Sequence, residues 1–433
     1  MTVRRRIKTV QSFLRQRKDA LDFDAIPDGR DPRGQRWPLE ALLSAAVLGM
    51  MLLARSLRAT EDLSEDLAGA QGARGIKRRV PDSTLGDALS VTDPEPLRKH
   101  LHRHILSEHR RKALEPTVLP LGAISIDGKT NATLDHAANQ DCQEQSAEGK
   151  EPQFVYREVN ATLISSSAAV CIDRKPIPAA TNDMGVFAAH YADLKKTYGR
   201  ANLFELVATD AGFTSEENAG IVNDDGKAYW MALKGNQPEL LAEARRVLLP
   251  QALREEPEAQ TDWELDSSRG WIRRQLWRTD EMAGWGQWSH LRQVVLVRVL
   301  RAPGSLHGPE PHQGPIQILE ERFHLTNLVR GRLNGAALLR LARAHWRIEN
   351  NLHGALDIQW QEDHGRWVHR GNGLPVTSLL RALAYNLLSL LRAVHLRTDK
   401  SREARWQQLR DWMRDALIWP SLADETEATP VTP

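Results

Sequence analysis

The sequence predicts a mixed α/β protein with a helical region ahead of the mixed core and a strand-rich segment inserted into it. Three observations carry that expectation. Helix caps and apolar periodicity fill residues 1–117, β-branched apolar runs alternate with helical segments over 118–238, and strand-like runs take over from 239 to 325. With 433 residues the chain exceeds one ordinary core. Two further parts follow, a helical second portion of the core at 326–395 and a C-terminal helix with a flexible tail at 396–433.

In the first region Trp37-Pro38 opens a strong helix, and the apolar run 41–54 reads as its buried body. That run is shorter than the roughly 20 residues a membrane span needs, and Glu40 and Arg55 bound it, so no membrane is expected. Helices are expected at 57–67 and 84–89, then from Asp93-Pro94 onward, carrying Leu97, Leu101 and Ile105. The basic N-terminal stretch lacks the apolar segment of a secretory signal. Cys142 and Cys171 alone imply neither a disulfide framework nor a cysteine zinc site, which fits a reducing cytoplasm.

A hydrophobic content of 41% with 26% charged residues is that of a globular domain, not a disordered one. The net charge of +2 does not announce a nucleic-acid binder, but basic residues cluster at 4–18, 77–79, 99–112 and 330–414.

From residue 118 the pattern changes. A strand at 121–126 is expected to end at Asp127-Gly128-Lys129-Thr130, followed by a polar loop at 135–151. Strands at 159–164, 168–172, 204–209 and 228–233 alternate with helices at 183–198 and 215–222. Side chains just past strand ends line the crevice of such a layer, and both Asp127 and Asp210 have that position. In the insertion, 271–277 and 294–299 read as strands, 303–315 as an exposed loop, and Trp263, Trp271, Trp277, Trp285 and Trp288 crowd together. Most are expected in the core, although one could stack on an unpaired base.

The third carboxylate is sought in RAHWRIENNLHGALDIQWQED, residues 343–363. As a helix this segment puts His345, Glu349, Leu352 and Leu356 on one face, flanked by Arg343 and Arg347. The apolar segment 379–391 is expected to brace it as a buried helix. Two aspartates on neighbouring strands and a glutamate on a later helix form an oxygen-only donor set, suited to two Mg²⁺ or Mn²⁺ ions in phosphodiester chemistry. Asp357 and Glu362 are rival third carboxylates, and His345 with His353 leaves a zinc site open.

The motif HW-x-IEN-x-LH-x-x-LD followed by ED, with IDGKT at 126–130, Thr209-Asp210-Ala211 and LKGNQP at 233–238, resembles bacterial insertion-sequence transposases of the ISAs type, the H-repeat-associated proteins. Residues 31–53 and 81–89 share in the likeness, which spans nearly the whole chain. The resemblance implies a ribonuclease-H-like catalytic core, a catalytic and metal-binding triad of Asp127, Asp210 and Glu349, and a divalent cofactor of two Mg²⁺ or Mn²⁺ ions. It implies cleavage of double-stranded DNA at element ends, joining to target DNA and a homodimer in a synaptic complex, in the cytoplasm on the nucleoid. Lys129, Lys234, Arg343, His345, Arg347 and Asn350 are the expected DNA contacts. Gly354 stands where the family usually has Trp and Ala132 where it usually has Arg, so the second expectation is a catalytically silenced relative acting as a DNA-binding repressor.

Overall fold

The computed structural model describes residues 3–68, 75–146, 149, 151–266, 268–304, 310–364, 367–396 and 398–418. Five helices come first: α1 (Val3–Gln16), α2 (Leu39–Met51), α3 (Leu57–Leu67), α4 (Asp82–Val91) and α5 (Pro94–Arg110). Their starts follow the expected chemistry. Ser56 accepts from the Ala59 amide and Asp93 from the Glu95 amide, each satisfying a donor that the first helical turn leaves open. Every residue of α2 except Glu40 is buried, as its apolar sequence requires.

The mixed region contributes β1 (Ala123–Leu134), β2 (Gln143–Gln145), β3 (Gln153–Leu163), β4 (Cys171–Pro176), α6 (Asp183–Tyr198), β5 (Leu206–Thr209), α7 (Glu216–Asp224) and β6 (Ala228–Leu233). Its helices and β6 match expectation closely. β1 does not: it runs through Asp127-Gly128 to Leu134 because β3 pairs with it along its length, from Ile124↔Leu163 to Leu134↔Phe154. The expected strand end is therefore strand interior, where cross-strand pairing overrides the local Asp-Gly signal. The polar stretch after it carries the short strand β2, while residues 147, 148 and 150 of that stretch lie outside the described residues.

The insertion opens with a helix the periodicity missed, α8 (Pro238–Arg254), which contains Pro250. β7 (Ala259–Gln260), β8 (Glu264–Asp266), β9 (Gly270–Thr279), β10 (Gln293–Ala302) and β11 (Gln317–Thr326) follow. Of the loop expected at 303–315, residues 305–309 lie outside the described residues. The last part holds α9 (Gly335–His345), α10 (Gly354–Trp360), α11 (Gly373–Leu390), α12 (Asp399–Arg402) and α13 (Trp406–Ile418).

All strands join one sheet, in the order β2-β3-β1-β5-β6-β11-β10-β9-β7, with β4 on β3 and β8 on β9. β3 pairs antiparallel with both β4 and β1, while β5 and β6 run parallel to β1. β11 then pairs antiparallel with β6, so the insertion extends the central sheet. The architecture is thus mixed α/β around a mostly antiparallel sheet.

One apolar core runs from Val10 and Phe13 through α2, the first strands and α11 to Met413 and Leu417. α11 and its continuation to His395 are long and apolar enough to cross a membrane, with mean hydropathy 1.4 over their most apolar stretch, yet 94% of that stretch is buried inside the protein. Two side chains tie its surroundings together. The Asn386 amide accepts from the Cys171 N–H and donates to the Cys171 carbonyl, both at 2.7 Å, closing the outer edge of β4. The Trp360 indole donates to the Met50 carbonyl at 2.8 Å, fastening α10 to α2.

Candidate active site

Strand register brings the two aspartates together. The parallel pairing of β1 with β5 ends at Ile126↔Thr209, so Asp127 and Asp210 are the next residues on two adjacent strands. Asp127 stays within β1, its Oδ1 accepting from the Gly128 N–H at 2.9 Å, whereas Asp210 leaves β5 and precedes the helical turn Ala211–Phe213.

Glu349 comes from the other side of the chain, and not from an uninterrupted α-helix. α9 ends at His345, a π-helical turn spans Ile348–His353, and α10 starts at Gly354. The wider turn rotates the residues beyond it away from a regular helical face. Histidines flank the glutamate on both sides, each facing β1. His345 Nδ1 lies 2.9 Å from Ser125 Oγ, and His353 Nδ1 lies 3.6 Å from Asp127 Oδ2. Both rings are held neutral chiefly by burial, His345 pushed down to about 4 and His353 to about 3.

The electrostatics show that the three carboxylates act on one another. Burial, then the charges of Glu349 and Asp210, push Asp127 up to about 7. Glu349 is raised by burial and by Asp210. Asp210 is lowered: burial pulls upward, but the Ala211 N–H and Lys234 outweigh it. The site holds more negative charge than its own surroundings neutralise, and its donors are all oxygen, so the residues fit a hard divalent cation. A separate trio, Asp22, Asp24 and Glu40 ahead of and within α2, brings its ligand atoms within 4.8 Å of one another and includes none of the predicted triad.

The remaining predicted residues divide. Lys234 is exposed and pairs with Asp210 at 3.1 Å. Asn350 is exposed beside Glu349, and Arg343 is exposed while pairing with Glu264 at 2.7 Å. Three others bond within the protein: Lys129 and His345 are buried, against their expected role as DNA contacts, while Arg347 is half-buried and also lines the cleft beside Glu349. Lys129 is buried against Asp357 at 2.6 Å, with Glu362 at 3.9 Å. Arg347 donates to the carbonyls of Ile164, Ser166 and Ser167 at 2.7–3.0 Å, locking the π turn to the end of β3. His345 is buried on Ser125.

The rival carboxylates are likewise accounted for. Asp357 belongs to Lys129, and Glu362 is fully buried between Arg174, at 3.0 Å, and Arg381, at 3.4 Å. Their use in internal ion pairs leaves Glu349 as the carboxylate that acts on Asp210. Of the two histidines of the zinc alternative, His345 faces Ser125 and His353 faces Asp127.

Sequence reading missed what lies on the far side of Glu349. A cleft of about 750 Å³ opens between the insertion strands and α9, and Arg269, Arg274, Arg322, Arg340, Arg343 and Trp346 line it together with Glu349 and Asn350. The tryptophans of the insertion are not its aromatic element: Trp271, Trp277 and Trp288 are buried, Trp285 packs on the core, and Trp263 lies under Arg273 at 4.7 Å. Trp346, beside His345 in the motif, carries the Arg322 guanidinium 4.0 Å from its ring centroid. The HW dipeptide was the available signal, although sequence spacing could not bring Arg322 from β11 to it.

No protein-family model matches the chain, and no characterised relative was found for it by sequence. Among solved structures it is similar to a piggyBac transposase synaptic complex with hairpin DNA, determined by cryo-electron microscopy, at 12% identity and a TM-score of 0.42, over 91% of this chain and 74% of that one.

Proposed function

We propose that this chain is a DNA transposase of a bacterial insertion sequence, cleaving DNA at element ends and joining the freed 3′-hydroxyl to target DNA. The observation that carries the reading is the placing of Asp127 and Asp210 on adjacent strands within reach of Glu349, where burial first, and then the charges of Glu349 and Asp210, raise Asp127 to about 7. A ribonuclease-H-like core is supported by the order β4-β3-β1-β5-β6, with three antiparallel strands followed by two parallel to β1, and by aspartates on adjacent central strands.

In this reading Asp127, Asp210 and Glu349 hold two Mg²⁺ or Mn²⁺ ions. Such ions, when bound, favour deprotonation of the attacking hydroxyl and neutralise charge on the leaving oxygen. The chain's own residues do the positioning. His345 and Arg347 hold the π turn against β1 and β3, so Glu349 is presented by a backbone that cannot swing away. Lys234 offsets the charge of Asp210, and its exposed ammonium would be available to a phosphate where a bound cation supplied that charge instead. Arg343 and Asn350 border the path of the DNA. A homodimeric synaptic complex on the nucleoid is part of the proposal.

The test is strand cleavage of DNA carrying the repeats that flank the gene, with purified protein and Mn²⁺, beside Glu349→Gln. Cleavage lost in the variant with DNA binding retained is the expected result. Binding that falls steeply with salt, with no cleavage by either protein, would replace this reading with that of a silenced DNA-binding repressor.

A further inference from the structure

The arginine cleft beside Glu349 is not needed to hold a metal, and its chemistry is distinct from that of the carboxylates. We propose that it takes the unpaired end of a DNA strand, one or two nucleotides long, with phosphates on the arginines and a base on the indole of Trp346. This deepens the proposed function and rests on it.

Size argues for a single strand. A volume of about 750 Å³ falls in the range of about 300–1,000 Å³ that suits a small molecule. A nucleotide or two fits that space, whereas a duplex does not.

Charge argues for phosphate. Arg269, Arg274, Arg322 and Arg343 reach in from β9, β11, α9 and the loop before β9, sharing Glu264, Asp266 and Glu320 as acidic partners. Arg340 adds an exposed cation with no acidic partner among the described residues. The arginines press on one another: burial, and next the charge of Arg343, lowers Arg274. Planar guanidiniums on several walls of one cleft match phosphate oxygens at successive positions along a strand.

The aromatic wall argues for a base. Trp346 is half-buried, and the Arg322 guanidinium stacked on it at 4.0 Å shows that a planar group can occupy its face. A base takes the same position, and the displaced arginine turns to the adjoining phosphate. Glu349 forms the margin of the cleft, so a strand seated there passes next to the candidate catalytic carboxylates.

The test uses full-length protein in EDTA, where cleavage cannot occur. Binding to a blunt duplex is compared by fluorescence anisotropy with binding to the same duplex carrying a two-nucleotide 3′ or 5′ tail, with 2-aminopurine in the tail. We expect one tail to tighten binding about tenfold, within the range for a stacked base, and its 2-aminopurine to be quenched. Trp346→Ala should abolish the gain and the quenching, and Trp346→Phe should keep part of both. Arg340→Glu alters an exposed residue and should reduce the gain with the melting temperature unchanged. Duplex binding without a tail preference, a preference untouched by Trp346→Ala and Arg340→Glu, or displacement of both DNAs by free mononucleotide at equal potency would overturn the proposal. Absence of binding to any DNA would overturn the function on which it rests.

Discussion

Replacing Asp127 by Asn should stabilise the metal-free protein while destroying its chemistry. The carboxyl rises from 3.8 to about 7 on folding, a shift of about three pH units at about 1.4 kcal/mol each, so ionised Asp127 costs the fold up to about 4 kcal/mol. The direction follows from proton linkage. Between these two values the native state binds more protons than the unfolded state, so wild-type stability is fully present below about pH 4 and is lost as pH rises through about 7. Asn at this position is neutral in both states, and its Oδ1 can still accept from the Gly128 N–H. The melting temperature of Asp127→Asn in EDTA should therefore match wild type near pH 4, exceed it increasingly above that, and reach its full advantage beyond pH 7. Mg²⁺ should raise wild type more than the variant. An advantage equal at all pH values, or none at pH 8, would refute the argument that repulsion and burial load this carboxylate.

Two other perturbations test how the site is supported. Arg174→Met leaves Glu158 and Glu362 buried without their shared cation, a loss on the order of 3–5 kcal/mol, read as a large drop in melting temperature that the added changes Glu158→Gln and Glu362→Gln recover. Gly128→Ala places a Cβ 2.5 Å from Asp183 Oδ1, and Arg157 holds that carboxylate at 2.7 and 2.8 Å. The backbone next to Asp127 must yield, so strand cleavage should fall by about tenfold, the equivalent of ~1.4 kcal/mol, while circular dichroism stays that of wild type.

Elements whose signals are local were legible in the sequence. α3, α6 and β6 have the expected bounds, because a capping serine or asparagine or a short apolar run bounded by turns specifies each without reference to distant residues. The continuation of β1 past Asp127 was not, since it depends on pairing with β3, and neither was α8, whose Pro250 reads as a break. Of the candidate carboxylates, Asp127 and Asp210 stood out in the sequence as following apolar strand-like runs and Glu349 as part of a dense motif, and the structure brings the charges of Asp210 and Glu349 to bear on Asp127. The π turn was hidden, because hydrogen-bond register along a helix leaves no mark on residue spacing. The fates of Lys129, Arg347 and His345 were hidden for a similar reason: a basic side chain near an acidic centre has one composition whether it faces phosphate or a buried carbonyl.

The distance along the chain between the partners that secure Glu349 governs when the site can exist. Ser125 and His345 are 220 residues apart, and Lys129 and Asp357 are 228 apart. A ribosome that has released both aspartate-bearing strands has therefore made two-thirds of the donor set with nothing to close it. α2 waits still longer, its Met50 carbonyl meeting Trp360 across 310 residues. Prematurely terminated chains thus carry the aspartates but no assembled carboxylate centre, which closes only once residues beyond Asp357 have been made. Under the proposed function the substrate is the DNA around the ribosome, and synthesis order is then itself a safeguard against stray activity.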